Sequence, residues 1–425
     1  MKKIILAVNA GSSSVKVSVY SAELRQPPKQ IAEAQVSGLT APPATLKYAR
    51  AGKVVIKDRE VDEKVDGQRA AFSLLLETLI QDGDLPEIQS KDDVGIVCHR
   101  IVHGGDYTKP QLISDNTYHH LENLNDLAPL HNANSLGIVQ LCIGGALPRA
   151  RNVACFDSQF HATIPAHIRT YPINQDVAQS NRLRKYGFHG ISYAFITRET
   201  AEFLGKSPDE VSLIALHLGS GASACAIKAG KSWDTSMGLT PLAGLPGATR
   251  SGSVDPSLVF HYASDVGKLS PASTKDLHIS RAEDILNKEA GWKALTGTTD
   301  FGAIADASSW ADHPARELAF RLFTDRVCAF VGAYYVALRG AVDALVFAGG
   351  IGEKSAALRR AVVDQVGCLG FALDEEVNSE DGGGAKLEGT VRDVGKRGVR
   401  PRVLVCQTDE QFEMARACAA DEEFW

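Results

Sequence analysis

Residues 5–19 read I-L-A-V-N-A-G-S-S-S-V-K-V-S-V, and residues 213–227 read L-I-A-L-H-L-G-S-G-A-S-A-C-A-I. Each is an apolar run, a small-residue turn at Gly11-Ser12 or Gly219-Ser220, and then alternating apolar and polar positions. This pattern predicts strand, tight turn, strand. A turn of Gly and Ser brings backbone N–H groups and hydroxyls close to an anion. One such turn is most often a plain hairpin loop. Two copies far apart in one chain point to two related domains, each offering a phosphate grip.

The chain has 425 residues, too many for one ordinary core, so two to three domains are expected. With 44% hydrophobic and 23% charged residues, its composition is that of a globular protein. A net charge of -6 is modest for this length and gives no reason to expect a nucleic acid or an anionic membrane as partner. Any anion grip must therefore be local. The opening M-K-K-I-I-L-A-V-N is expected to be the first strand rather than a signal peptide, because its apolar run breaks at Asn9 and continues as the Gly/Ser turn. No stretch is apolar for the length of a membrane span. The 8 cysteines are dispersed, without a C-x-x-C; Cys98, Cys155, Cys225 and Cys406 lie in strand-like runs. They read as buried thiols of a reducing cytoplasm, not as disulfides or zinc ligands.

Further apolar runs predict strands at 94–98, 152–156, 343–348 and 402–406, and helical periodicity follows over 70–81, 192–204, 315–338 and 355–366. Such mixing indicates an α/β protein. The segment 374–400, with Gly382-Gly383-Gly384 and many charges, reads as an exposed excursion. The last strand runs into T-D-E-Q and a helix over 411–419. Thr408 and Gln411 fit a capping box there, which sets Asp409 and Glu410 in the first turn, beside a strand end. Ligands of open α/β sheets favour such ends.

Five other clusters bear chemistry: H-R-I-V-H-G-G (99–105), C-F-D-S-Q-F-H (155–161), the loops Y-G-F-H-G (186–190) and G-A-T-R-S-G (247–252), and V-F-A-G-G-I-G-E (346–353). They supply Arg100, Arg250, His189, and the carboxylates Asp157 and Glu410 among glycine-rich turns. That inventory fits phosphoryl transfer, which needs in-line positioning and neutralisation of charge. Arginine forks suit carboxylate and phosphate, and a sparse pair of carboxylates suits Mg²⁺. Taken singly, each arginine is more often a structural ion pair and His189 a satisfied core histidine.

In combination the motifs N-A-G-S-S-S-V-K (9–16), H-R-I-V-H-G-G, L-A-P-L-H-N (127–132), F-D-S-Q-F-H, Y-G-F-H-G, H-L-G-S-G-A-S (217–223), G-L-T-P-L (238–242), T-R-S-G, G-G-I-G-E and T-D-E resemble, in order and spacing, those of the acetate/propionate/butyrate kinase family. The resemblance implies a two-domain α/β fold of the actin, Hsp70 and sugar-kinase (ribonuclease H-like) superfamily, with duplicated hairpin phosphate loops and an interdomain cleft. Residues 1–156 plus 411–425 would form the first domain. Residues 157–410 would form the second, with the nucleotide site and a homodimer contact. Sugar kinases carry Asp where this chain has Asn9 and need a carboxylate base. A carboxylic acid, with a pKa of about 4, is already ionised and needs none.

By the same resemblance, Asn9, Ser12, Ser14 and Lys16 would line the phosphate side of the first domain, and His217, Gly219 and Gly221 that of the second. Arg100 and Arg250 would hold the acid and the transferring phosphoryl group, and His189 would donate to it. Asp157 and Glu410, with Asn9, would position Mg²⁺, for which Mn²⁺ can substitute. Asp300, Phe301, Gly350, Ile351 and Leu358 would line the ATP/ADP site. Val102, Leu130, Phe188 and Pro241 would hold the alkyl group of a short-chain acid. The chain departs from the family pattern at Tyr193, Ser220, Ser253, Gly302 and Lys354, where the family usually has His, Asn, Asp, Arg and Asn. An acetate kinase, a kinase of a longer acid or of another phosphate donor, and a catalytically weak nucleotide-dependent binding protein all remain open; retention of Arg100, Asp157, His189, Arg250 and Glu410 argues against the last.

Overall fold

The computed structural model describes residues 2–11, 13–40, 43–61, 65–124, 129–262, 268–271, 273, 279–379 and 389–425, with backbone alone at 129–131 and 261–262. Its strands are β1 (Lys3–Ala10), β2 (Ser14–Ala22), β3 (Lys29–Ser37), β4 (Thr45–Arg50), β5 (Lys53–Glu60), β6 (Val94–Ile101), β7 (Gln111–Leu112), β8 (Arg151–Phe156), β9 (Leu213–Leu218), β10 (Ala222–Lys228), β11 (Lys231–Thr235), β12 (Ala344–Ala348), β13 (Val391–Asp393) and β14 (Arg402–Cys406). They form an eight-stranded sheet, ordered β5-β4-β3-β2-β1-β6-β8-β7, and a six-stranded sheet, ordered β11-β10-β9-β12-β14-β13.

The duplication read from the two Gly/Ser turns reaches the whole sheet plan. In the first sheet β1, β2 and β3 form an antiparallel meander, and β6 and β8 follow β1 in parallel. In the second, β9, β10 and β11 form the meander, and β12 and β14 follow β9 in parallel. The apolar runs become strands because a parallel strand covered on both faces must be apolar at nearly every position; all five residues of β12 are buried. Leu6, Val8, Val97 and the helix Gln68–Ile80 belong to one core; Leu216, Phe347 and the helix Pro314–Ala337 belong to another.

Two compact units result, residues 1–159 with 409–425 and residues 160–408. Asp157 and Glu410 both belong to the first unit. The capping box expected at Thr408 and Gln411 does not form. Asp409 caps the helix Glu410–Ala420, accepting from the Phe412 N–H at 2.9 Å. Gln411 is instead buried against the first hairpin, accepting from the Ser18 hydroxyl and donating to the Ala7 carbonyl. The segment 374–400 is more than an excursion: it contributes the helix Glu375–Ser379, the buried Asn378 and the edge strand β13. Its glycine run lies outside the described residues.

Seven cysteines, including Cys98, Cys155, Cys225 and Cys406, are buried free thiols, and Cys368 is exposed. Among the described residues no helix is long and apolar enough to cross a membrane.

Two buried histidines make the fold acid-sensitive. Burial pushes the His99 pKa down to about 4 against the opposing bond to Asn152, and burial does the same to His161, to about 4, against its bond to the Phe188 carbonyl. The unfolded chain takes up these protons near pH 6.5, and the folded chain takes them up only near pH 4. Their contribution is therefore fully present above about pH 6.5 and is lost as pH falls toward 4, by about 1 kcal/mol per pH unit for each histidine. Urea midpoints at pH 7 and pH 5 should differ more in the wild-type chain than in His161→Gln; equal differences would remove this histidine from the account.

Candidate active site

In the first unit the parallel strands β6 and β8 end side by side, with Arg100 opposite Cys155 and Ile101 opposite Phe156. Asp157 follows immediately and donates its backbone N–H to the Ile101 carbonyl. This register sets the two charged side chains at one pair of strand ends. Arg100 grips Asp157 with both arms of its fork, at 3.0 and 2.8 Å, and reaches Glu410 at 3.4 Å. Asp157 is 1% exposed; Arg100 and Glu410 are 16% and 17% exposed. Burial disfavours the Arg100 charge, but Asp157 and Glu410 more than offset it, so its pKa stands above the ordinary value. Burial raises the pKa of neighbouring Asp409, against its bond from Phe412 and the charge of Lys16.

The loop after Arg100 is tightly held. His103 accepts from the Gly105 N–H through its Nδ1, and its own backbone N–H donates to Asn132. A Cβ at Gly104 would meet the Phe156 ring at 2.4 Å. Val102 is half-buried here. Val8 pairs with His99, so the ends of β1 and β6 carrying Asn9 and Arg100 are neighbours. In the first hairpin the Gly11 N–H donates to the Ser14 carbonyl, and Lys16 makes a partly exposed ion pair with Glu33 at 3.4 Å. Such a pair is worth under about 1 kcal/mol and is readily exchanged. Ser12 lies outside the described residues, as does the Leu130 side chain.

In the second unit the turn between β9 and β10 is closed by the Gly219 N–H on the Gly221 carbonyl, at 3.1 Å. A Cβ at Gly221 would lie 2.9 Å from Arg250 Nη1 and 3.8 Å from His189 Cε1. The glycine therefore lets both side chains border one small space. The loop holding Arg250 is tied to this turn by the Ala248 N–H on the Ser220 carbonyl. His189 caps the helix Gly190–Phe203 from a left-handed conformation, φ 59°, one that non-glycine residues seldom adopt outside strained or functional positions. Its Nδ1 meets Ser223 Oγ at 2.9 Å, and its ring stacks on His217 with centroids 4.2 Å apart. Phe188 and Pro241 are buried in this unit.

A cavity of about 600 Å³ adjoins the same turn. Gly219, Asp300, Phe301, Gly350 and Ile351 line it together, as do Ser220, Gly302 and Lys354, three of the positions that depart from the family pattern. Leu358 is not in the lining; it is fully buried in the core beneath, its N–H held by Ser355. The sequence reading missed Trp292, Thr299 and the stretch 355–357, which carry no phosphate-binding signature of their own. It also missed Ser223, although that residue closes the quoted motif H-L-G-S-G-A-S. The glycine run of 349–352 is explained by close approach: Gly349, at φ +75°, has the Leu218 carbonyl oxygen 2.7 Å from where a Cβ would be.

The carboxylates can be tested against Mg²⁺ by their chemistry. Asp157 and Glu410 are hard oxygen donors joined by one arginine. Among the described residues no cluster of three or more His, Cys, Asp or Glu could hold a metal ion. A partial set of this kind fits an ion that keeps most of its waters and binds nucleotide phosphates, and does not fit a closed all-protein cage.

Duplicated sheets with Gly/Ser turns, a cavity beside one turn, one arginine at a strand end and another on a loop tied to that turn define an ASKHA-like phosphotransferase. The chain matches the acetokinase family over residues 4–416. It is 70% identical to a probable acetate kinase of Chaetomium globosum, over 100% of this chain and 99% of the relative. Its structure is similar to that of Porphyromonas gingivalis acetate kinase, with TM-score 0.78 and 31% identity over 97% of this chain and 98% of the other. It is also similar to a propionate kinase from Francisella tularensis, with TM-score 0.81 and 29% identity over 98% of each. The chain belongs to the acetokinase family, whose members are phosphotransferases with a carboxyl group as acceptor.

Proposed function

We propose that this chain catalyses reversible, Mg²⁺-dependent transfer of the ATP γ-phosphoryl group to acetate, giving acetyl phosphate and ADP by direct in-line displacement. An acetate oxygen forms the new bond to phosphorus as the bond to the ADP oxygen breaks. Acetate is ionised at neutral pH, so no proton has to be removed and catalysis rests on positioning and electrostatics. The observation that carries this reading is the bare turn at Gly221, bordered by both Arg250 and His189 and continuous through Gly219 with the cavity.

Arg250 would neutralise charge on the transferring group and His189 would donate to it. Arg100 would hold the acid's carboxylate. Asn9, Ser12, Ser14 and Lys16 from the first hairpin, and His217, Gly219 and Gly221 from the second, would bind phosphates. The adenosine would occupy the cavity over Asp300, Phe301, Gly350 and Ile351. Mg²⁺ held by Asp157 and Glu410, with Asn9, would neutralise nucleotide phosphate charge. Val102, Leu130, Phe188 and Pro241 would hold the methyl group. We assign the two units to the two domains of the fold, and propose a homodimer through the second, where Leu258, Phe260 and Leu295 are exposed. The free cysteines fit a cytoplasmic location.

The likeness to a propionate kinase supports a second reading, a preference for a longer acid. A hydroxamate assay for acyl phosphate, with acetate, propionate and butyrate against ATP, GTP and pyrophosphate, separates the two. Acetate with ATP should be best, and discrimination against propionate partial, because one methylene is worth only about 1–3 kcal/mol in an apolar pocket. Acyl phosphate from none of the three acids would sink the proposal. Val102→Ala should raise the butyrate-to-acetate ratio of kcat/KM; an unchanged ratio would place the alkyl group elsewhere.

A further inference from the structure

We propose that Tyr193, acting through the Ser223 hydroxyl, fixes the His189 proton on Nε2, so that this histidine waits as a neutral hydrogen-bond donor. The inference rests on the role given to His189 above and names the residues that prepare it. Tyr193 is one helical turn beyond His189, and its N–H donates to the His189 carbonyl at 3.0 Å. Its side chain is fully buried, with the phenol oxygen 2.6 Å from Ser223 Oγ. Ser223, itself fully buried, meets His189 Nδ1 at 2.9 Å.

The direction of the chain follows from counting protons. Burial holds the Tyr193 phenol protonated, its pKa raised well above the ordinary value, and Ser223 Oγ lies within hydrogen-bond reach of that proton. The phenol proton therefore goes to Ser223 Oγ. The serine has one proton, left for His189 Nδ1. An imidazole that accepts at Nδ1 carries its hydrogen at Nε2. His217 fixes the ring plane by stacking, and is itself fixed by Ser192, whose hydroxyl lies 2.8 Å from His217 Nδ1. Where the family pattern usually has histidine, this chain has a phenol, whose donor does not titrate near neutral pH. Tyr193 and Ser223 are thus positioning residues.

Histidine-selective ¹⁵N NMR of the whole enzyme reads the tautomer directly, with His189 assigned by the signals lost in His189→Gln. In the wild type Nδ1 should resonate as an unprotonated ring nitrogen and Nε2 as a protonated one. In Tyr193→Phe and in Ser223→Ala the two signals should move toward an average. With them kcat should fall about fivefold to tenfold, the effect of one hydrogen bond of about 1 kcal/mol, while KM for ATP and for acetate stay within about twofold. The double variant should be no slower than Ser223→Ala alone. A wild-type Nδ1 that is protonated, or variants with unmoved signals and unmoved kcat, would overturn the proposal. Full activity in His189→Gln beside the expected wild-type signals would support the tautomer and sink instead the role of His189 in transfer.

Discussion

Arg250→Leu should lose at least about a hundredfold in kcat and melt within a few degrees of the wild type. A preorganised electrostatic contact to a transferring group is typically worth about 3 kcal/mol or more, roughly a hundredfold in rate. Arg250 is half-buried and borders the small space beside Gly221, outside the buried apolar cores. Arg100→Leu should lose as much activity and also destabilise the protein. It would strip the buried Asp157 carboxylate of its bidentate partner, and breaking a buried pair from one side costs about 3–5 kcal/mol. Melting curves beside steady-state kinetics distinguish the two variants. Near-wild-type turnover in a folded Arg250→Leu would sink its proposed role, and so would inactivity traced to unfolding.

The second large effect is expected at the carboxylates. Asp157→Asn should lower kcat about a hundredfold and, like Glu410→Ala, raise the Mg²⁺ concentration needed for half-maximal activity. Glu410 also opens a helix. If that were its whole role, it would be worth under about 1 kcal/mol of stability and the Mg²⁺ titration would not move. Titrating Mg²⁺ against turnover in both variants decides the matter. An unchanged requirement and unchanged turnover in both would remove these residues from the metal site. Arg100, bonded to both carboxylates, offsets their mutual repulsion.

The apolar runs at 94–98, 343–348 and 402–406 were legible because covered parallel strands leave a near-continuous hydrophobic signature. Helices such as Gly190–Phe203 and Pro314–Ala337 were legible within a residue or two because long periodic segments dominate local noise. The edge strand β13 was not, because three residues inside a charged, Gly-rich stretch carry no period of their own. Thr408 and Gln411 misled for a related reason. Their spacing fits a cap, but both side chains find better partners remote in sequence, Ser192 for the first and Ser18 for the second. Leu358 shows the same limit in the site, since an apolar residue next to a cavity-lining turn reads alike whether it faces the cavity or the core.

The repeated strand–turn–strand unit, the glycines that leave room beside it, and the stock of arginines, carboxylates and histidines are all readable along the chain. Those are properties of residue type and local spacing. That Arg100 forks onto Asp157 and also reaches Glu410, far along the chain, emerges only in the folded molecule. It alone joined Gly219, Asp300 and Gly350 around one cavity, and drew Tyr193, Ser223 and His189 into one line of hydrogen bonds. The physical reason is that a hydrogen bond or an ion pair acts over about 3 Å between particular atoms, and which atoms come that close is set by sheet register and core packing, neither of which a motif contains.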